Sequence, residues 1–321
     1  MGGCYVSLMR SRDMAEQRSI GILGTGAVGA SVAISVLHAG FAGEVLLSDA
    51  RQAVAEGEAM DLAQGASFYP TAAVRAVQPE QLLEADAIVI TAGRGGKPDE
   101  SRLDLLRENA ASLRTIAGGL RGYAGLVVVV SNPVDVMTSV VARASGLPLE
   151  RVIGSGTMLD TARLRHMIGA ELRLDARSVH AQVIGEHGDS EVVLWSSAHV
   201  GGTPLGSWPG WNADREAPIA EQVRRAAYEI IRRKGATNHA IGLVTAALLR
   251  SALRGERRVL TVSRVQEGAL GFRDVALSLP TVVAADGAVQ VIAPEMNSGE
   301  RDALERSVTV LRTALATLDI P

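Results

Sequence analysis

Ser19-Ile20-Gly21-Ile22-Leu23-Gly24-Thr25-Gly26-Ala27-Val28-Gly29 sets the architecture of the first half of the chain. Residues 20–23 form an apolar run of strand length, the pattern Gly24-x-Gly26-x-x-Gly29 follows at once, and a helical stretch then runs to Ala39. In that strand–turn–helix context a glycine pattern carries a mechanism. The first glycine permits a tight turn, the second lets the backbone approach a pyrophosphate, and the third lets helix and strand pack closely. The helix N-terminus then offers free amides and a partial positive charge to the phosphates. Twenty residues past Gly29 stands Asp49, at the end of the next expected strand. Its carboxylate can accept from both ribose hydroxyls of NAD and would repel the extra phosphate of NADP. Gly24, Gly26, Val28, Gly29 and Asp49 are therefore candidate cofactor-binding residues, the alternative being a glycine-rich turn with no ligand.

Further strands are expected at 44–48, 87–90 and 126–130, with a helix at 51–64. These runs are apolar without alternation, as a parallel sheet covered on both faces requires. Alternating strands and helices predict an α/β fold, a Rossmann doubly wound parallel sheet over residues 18–155. Helices at 155–168, 214–234, 238–253 and 297–318, with strands at 179–184, 258–265 and 281–283, predict a mixed α+β substrate domain over 156–321. No second phosphate loop and no internal repeat appears, so the two halves are expected to pack as one body. Residues 1–17 lack periodicity and the apolar stretch of a signal peptide, and are expected to be a flexible extension, with Met14 as the natural start. The start Met-Gly-Gly-Cys hints at myristoylation, but Val6 stands where that pattern wants Ser or Thr.

Hydrophobic residues make up 47% and charged residues 21% of the 321, which excludes a disordered chain. A net charge of -3 gives no support to a nucleic-acid or membrane-surface partner. No apolar run approaches the ~18 residues of a membrane-spanning helix. Cys4 is the only cysteine, which rules out an internal disulfide and fits a reducing, cytoplasmic compartment. The six histidines are scattered without ligand spacing, so no metal is expected. With aromatics at 3%, the core must be built from Ala, Val, Leu and Ile.

Gly185-Glu186-His187-Gly188-Asp189-Ser190 puts a histidine in a polar, glycine-flanked turn after a strand, where a substrate can reach it. Upstream, Asp160 and Arg163 are three residues apart and share a helix face. An Asp against an imidazole favours the protonated ring and fixes its tautomer. An Arg on the same face can hold a carboxylate by two parallel hydrogen bonds. The plainer alternatives are a surface ion pair for Asp160 with Arg163 and a satisfied loop histidine for His187.

Together with Asp61-Leu62-Ala63, Thr91-Ala92-Gly93, Lys97-Pro98-Asp99-Glu100-Ser101-Arg102-Leu103, Ser131-Asn132-Pro133-Val134-Asp135 and Lys234-Gly235-Ala236-Thr237, these motifs resemble the L-lactate/malate dehydrogenase family. The resemblance runs from about residue 19 onward and is closer to the bacterial L-lactate dehydrogenases. It implies an NAD-dependent L-2-hydroxyacid dehydrogenase, reducing pyruvate to L-lactate by hydride transfer. By resemblance, His187 is the proton donor and acceptor, Asp160 stabilises its imidazolium and Arg163 anchors the substrate carboxylate. Arg102 matches the arginine on a mobile loop that polarises the carbonyl, and Asn132 the residue near the substrate oxygen and nicotinamide. Thr237 matches a pocket wall, and Thr91, Ala92 and Gly93 join the cofactor site. Closure of the loop from Gly93 to Arg102 would expel water, with the glycines at 93, 95 and 96 as a hinge.

The resemblance breaks at Gly96, where the family reads the substrate side chain with glutamine for lactate and arginine for malate. Asp99 also replaces the glycine usual after Lys-Pro. A glycine contacts neither a methyl group nor a carboxylate, so the pocket is expected to be roomier, with bulkier 2-oxo acids as one alternative substrate. Malate dehydrogenase is the other, with Arg94 displaced to supply a cation. Arg165 and His180 fall where some bacterial relatives bind fructose 1,6-bisphosphate between subunits, which would imply a homotetramer rather than a homodimer. Two readings outside this class are an NAD-binding sensor on the same fold and a glycosidase-type relative. The sensor would have lost His187, Asp160, Arg163 or Arg102, and all four are present. The glycosidase type would need metal-ligand cysteines, and Cys4 stands alone.

Overall fold

The computed structural model describes residues 18–94 and 101–318. The expected extension (1–17), the 95–100 stretch with Gly96, and the Arg102 side chain lie outside the described residues. The first half runs β1 (Arg18–Leu23), α1 (Ala27–Ala39), β2 (Ala42–Ser48), α2 (Gln52–Gln64), β3 (Ala73–Ala76), β4 (Ala87–Ile90), α3 (Arg102–Gly119), β5 (Leu126–Val129), α4 (Val134–Ser145) and β6 (Val152–Gly154). The second continues with α5 (Met158–Leu172) and five short strands: β7 (Val179–His180), β8 (Val183–Ile184), β9 (Val192–Val193), β10 (His199–Val200) and β11 (Thr203–Pro204). It closes with α6 (Glu216–Lys234), α7 (His239–Leu253), β12 (Arg258–Glu267), β13 (Arg273–Ala284), β14 (Gly287–Val291) and α8 (Ser298–Ala316).

The strands β3-β2-β1-β4-β5-β6 lie side by side in that order and all parallel. This is the doubly wound order, with its switch point between β1 and β4. Alternate residues of each strand face opposite layers. Ile20, Ile22, Val45, Leu47, Val89 and Val128 pack with Val32 and Val36 of α1 and Leu248 and Leu249 of α7. Leu46, Ile88, Ile90, Val127 and Val129 pack with Leu113 of α3 and Met137 and Val140 of α4. Burial on both faces is why these runs show no polar alternation. The second half does not sit apart. Its β12, β13 and β14 extend the same sheet antiparallel from β6, through Ser263 opposite Gly154, to make nine strands. Helix α7 crosses α1 so closely that a Cβ on Gly242 would lie 2.4 Å from the Ser31 carbonyl oxygen.

Three expected elements are redrawn. The strand expected at 179–184 is two, since β7 pairs with β10 and β8 with β9. Between them the Ala181 carbonyl accepts from Arg165 Nε and the Gln182 carbonyl from the Leu194 amide, so the chain changes sheets there. The helix expected from 155 starts at Met158, because Gly156 takes a left-handed conformation (φ 53°) against β13. The strand expected at 281–283 is the tail of the twelve-residue β13.

The glycine turn shows its packing directly. Gly24 has φ 98°, and a Cβ there would lie 2.7 Å from the Ala92 amide nitrogen. A Cβ on Gly29 would sit 1.9 Å from the Gly24 carbonyl oxygen. Gly29→Ala is expected to cost about 3 kcal/mol by forcing α1 off β1. The measurement is the denaturant midpoint, and a variant as stable as the parent would mean that the turn relaxes freely.

Candidate functional site

A cleft of about 660 Å³ opens at the C-terminal ends of β1, β2 and β4, lined by Gly24, Gly26, Asp49, Thr91, Ala92 and Gly93 among others. Clefts at the switch point outside the strand ends are where such sheets bind ligands. The cleft suits a dinucleotide. A Cβ on Gly26 would meet nothing within 4 Å, so the backbone there is open to a bulky anion. Helix α1 begins at that glycine with no side-chain cap, leaving its first amides to a ligand. Val28, in its first turn, is half-buried and packs against the sheet core. The Thr91 hydroxyl donates to the Gly24 carbonyl at 2.5 Å and holds the turn. Asp49 is aimed at the same turn. Its Oδ2 accepts from the Thr25 amide at 2.8 Å and its Oδ1 from the Arg51 amide at 2.9 Å. Burial works against this carboxyl's charge, but the two amides and the Thr25 hydroxyl hold it below its ordinary range.

His187, Asp160 and Arg163 are brought together from helix α5 and the turn after β8. His187 Nδ1 lies 2.5 Å from Asp160 Oδ2, and Arg163 Nη1 donates to Asp160 Oδ1 at 2.9 Å. Asp160 is 2% exposed, Arg163 11% and His187 23%, so the carboxylate is sealed while the ring keeps an open edge. Strand β13 sets this geometry. Ser278 exchanges backbone hydrogen bonds with Gly185, both at 2.9 Å, and its hydroxyl accepts from the Thr157 amide at the head of α5. The Thr157 hydroxyl donates to the Val183 carbonyl, and the Val183 amide donates to Thr161. Helix and turn are thereby locked in register. Burial opposes a charge on His187, yet Asp160, with help from Asp135 and Glu191, raises the ring to about 9. The same contacts, with Arg163, hold Asp160 below the usual carboxylate range despite its burial. Asp160→Asn is expected to leave burial dominant and bring the ring toward or below its ordinary 6.5. Titration of the ring by NMR checks this, and a value unmoved from about 9 would sink it.

Hydrogen bonds pin the segment 131–135, which runs from the cleft to the histidine turn, at both of its ends. The Ser131 hydroxyl donates to the Ala92 carbonyl and, at 3.2 Å, to the Ile90 carbonyl. Asn109 of α3 accepts the Arg94 amide on its Oδ1, and its Nδ2 donates to the Arg94 carbonyl and to the Asn132 carbonyl. Two residues past the cis Asn132–Pro133 peptide, Asp135 Oδ2 accepts the His187 amide at 2.7 Å. Asn132 itself is exposed. Thr237, half-buried, lies between α6 and α7, and its neighbour Asn238 donates to the Ser31 hydroxyl of α1 at 2.8 Å. Arg102 opens α3, after the Ser101 cap. Arg165 and His180 lie apart from this group: Arg165 is half-buried with its Nε on Ala181, and His180 is exposed on β7. Arg94 is not displaced toward the site, because its guanidinium meets Glu108 of α3 at 2.8 and 2.5 Å.

Sequence reasoning assigned no role to three buried groups here: Asn109, Asp135 and Glu191. Burial pushes the Asp135 carboxyl up to about 6, against the Ser263 hydroxyl and the His187 amide. Burial and the Asp160 charge push Glu191 up to about 8, against His187, Arg224 and Arg163. Among the described residues, no three His, Cys, Asp or Glu come together to hold a metal ion, and no helix is long and apolar enough to cross a membrane.

Residues 18–154 match the lactate/malate dehydrogenase NAD binding domain, and residues 157–318 the lactate/malate dehydrogenase alpha/beta C-terminal domain. The chain belongs to the lactate/malate dehydrogenase family. Among members of this family, it is 42% identical to an L-lactate dehydrogenase of Synechococcus sp. (strain JA-3-3Ab) over 300 residues, 92% of this chain and 98% of that one. It is 43% identical to one of Salinibacter ruber over 316 residues, 96% and 99% of the two chains. In structure it resembles the minor L-lactate dehydrogenase from Enterococcus mundtii, with a TM-score of 0.93 at 38% identity, covering 95% of this chain and all of that one. The lactate/malate dehydrogenases are oxidoreductases acting on CH–OH groups, and the first half of this chain is the family's NAD-binding domain.

Proposed function

We propose that this protein is an NAD-dependent L-lactate dehydrogenase, with pyruvate and L-lactate as its substrate pair. The observation that carries the proposal is the Asp160 carboxylate bridging His187 and Arg163, in a turn that Asp135 ties to the segment whose Ser131 is bonded to Ala92 of the dinucleotide cleft. NAD bound in the cleft would supply the hydride acceptor, and NADH the hydride donor. Gly24, Gly26, Val28, Gly29, Thr91, Ala92, Gly93 and Asn132 would line its site, and the Asp49 charge favours NAD over NADP. His187, charged at neutral pH, would give its proton to the ketone oxygen in reduction and take it back in oxidation. Asp160 would hold that charge, Arg163 would clamp the substrate carboxylate, and Arg102 would polarise the carbonyl. Thr237 would form a pocket wall.

Gly96 favours a second reading, a pocket open to bulkier 2-oxo acids. The malate alternative loses its cation, since Arg94 is engaged by Glu108. The proposal includes a cytoplasmic homotetramer with fructose 1,6-bisphosphate between subunits at Arg165 and His180. Burial, and to a lesser degree the charge of Arg258, draws the Arg165 guanidinium below its ordinary value, and a phosphate would relieve the repulsion between the two cations. The test is NADH consumption over pyruvate, oxaloacetate, 2-oxobutyrate, phenylpyruvate and 2-oxoisocaproate, with and without the bisphosphate. Pyruvate is expected to lead. A bulkier acid ahead of it would favour the open pocket, and unchanged kinetics at saturating bisphosphate would remove the effector site. No turnover of any acid would overturn the dehydrogenase reading in favour of an NAD-binding sensor.

A further inference from the structure

His187 is held from two sides, and only one of them is the Asp160 couple. On the other side lies Asp135, the second residue of α4, 2% exposed, with its Oδ2 on the His187 amide at 2.7 Å. The contact spans 52 residues and joins two segments that must keep one geometry, the Ser131-Asn132-Pro133 loop and the histidine turn. Three of the turn's other amides have their own acceptors. Gly185 donates to the Ser278 carbonyl, Glu186 to the Ser307 hydroxyl at 2.8 Å, and Ser190 to the Glu186 carboxylate at 3.2 Å. Asp135 alone ties the turn to the loop that borders the dinucleotide cleft, among the hydrogen bonds of the described residues. Its place in the first turn of α4 puts the carboxylate at the positive end of that helix.

We propose that Asp135 is a positioning residue, which fixes His187 against the Asn132 loop through the amide and places a second negative charge near the imidazolium. The inference rests on the dehydrogenase reading of His187. The charged and titratable groups around the ring and its carboxylates are Asp160 and Arg163 on α5, Glu186 and Glu191 on the turn, Arg224 on α6, and Asp135 on α4; β12 and α8 contribute the uncharged Ser263 and Ser307. Asp160, Asp135 and Glu191 favour the charged ring. At neutral pH and above, Asp135 is ionised and lends its charge. Below about 6 it takes a proton and lends none.

The two contributions separate by substitution. Asp135→Asn keeps an oxygen for the His187 amide and removes the charge, whereas Asp135→Ala removes both. The full-length parent and both variants are compared by pH profiles of kcat and KM for pyruvate reduction, by NMR titration of the His187 ring, and by NADH binding through fluorescence. In both variants the ring should titrate about one pH unit lower, and the alkaline limb of reduction should move down with it. Asp135→Asn should keep kcat within about threefold, while Asp135→Ala should lose about 30- to 100-fold in kcat with NADH binding unchanged. Wild-type kcat in Asp135→Ala would overturn the proposal. So would equal losses in both variants with an unmoved titration, since that is the signature of a fold contact alone. If Asp135→Ala does not fold, the kcat and titration of Asp135→Asn decide. If the parent reduces no 2-oxo acid, the dehydrogenase reading falls by itself, and the His187 titration still decides whether Asp135 governs the ring.

Discussion

His187→Gln should lower kcat/KM for 2-oxo acid reduction by about a thousandfold or more, while NADH binding is retained. The glutamine side chain can fill the space and hydrogen-bond to Asp160, but it has no proton to give at any accessible pH. What is lost is proton donation in the transition state, about 4 kcal/mol for a thousandfold. The parent supplies the control. Its ring is held charged up to about 9, so reduction should be flat through neutral pH and fall as pH rises through that value. Oxidation needs the neutral ring and should rise over the same interval. The variant should have neither limb. NADH fluorescence and a melting curve establish that the variant is folded and loaded. Residual activity within tenfold of the parent, still with the limb near 9, would mean that another group donates the proton.

Arg163→Gln should do comparable damage by another route. A guanidinium fork bonded to a carboxylate contributes charge-assisted hydrogen bonds of roughly 1.5–3 kcal/mol each. Removing two of them predicts a KM for pyruvate higher by about 10²–10⁴-fold, with kcat reduced less. Arg163 also bonds Asp160, so the variant leaves that buried carboxylate with His187 as its one remaining charged partner in the pair. The His187 ring should then titrate no lower than in the parent. That outcome separates anchoring from acid–base chemistry. Arg163→Lys restores the charge without the planar fork and should recover only part of the affinity. A KM left at the parental value in Arg163→Gln would show that the carboxylate is gripped elsewhere.

The glycine turn and Asp49 were legible because every signal in them is local: an apolar run, a turn that needs glycine, a helix start, an acid at a strand end. The Asp160–Arg163 pair was legible from its helical spacing. Its union with His187, 27 residues away, depends on Ser278 and Thr157, and no local pattern announces that. Asp135 stood in plain view in Ser-Asn-Pro-Val-Asp, yet nothing in the motif points to an amide 52 residues downstream. The run at 179–184 reads the same whether it is one strand or two, because buried Val179, Ala181 and Val183 alternate with His180 and Gln182 across the break, which is made by Arg165 and Leu194. The sequence offers Arg94 as a cation for a dicarboxylate, and nothing local in it marks Glu108, fourteen residues on, as the partner of that guanidinium.

The nine-stranded sheet has a consequence for how this protein can be taken apart. The family boundary falls between Gly154 and Thr157, but hydrogen bonding crosses it, from β6 to β12. The apolar cover of one sheet face crosses it too, since Leu248 and Leu249 of α7 belong to the same core as Ile20 and Ile22. The cofactor half is therefore not a cassette. A chain cut at the boundary would end on a naked strand edge with a large apolar face open to water, the condition under which sheets recruit their own copies. Swapping that half between relatives would ask the β6–β12 seam and the α1–α7 crossing at Gly242 to match at once. Exchange of loops, with the shared sheet left whole, is the route to new substrates that this architecture permits.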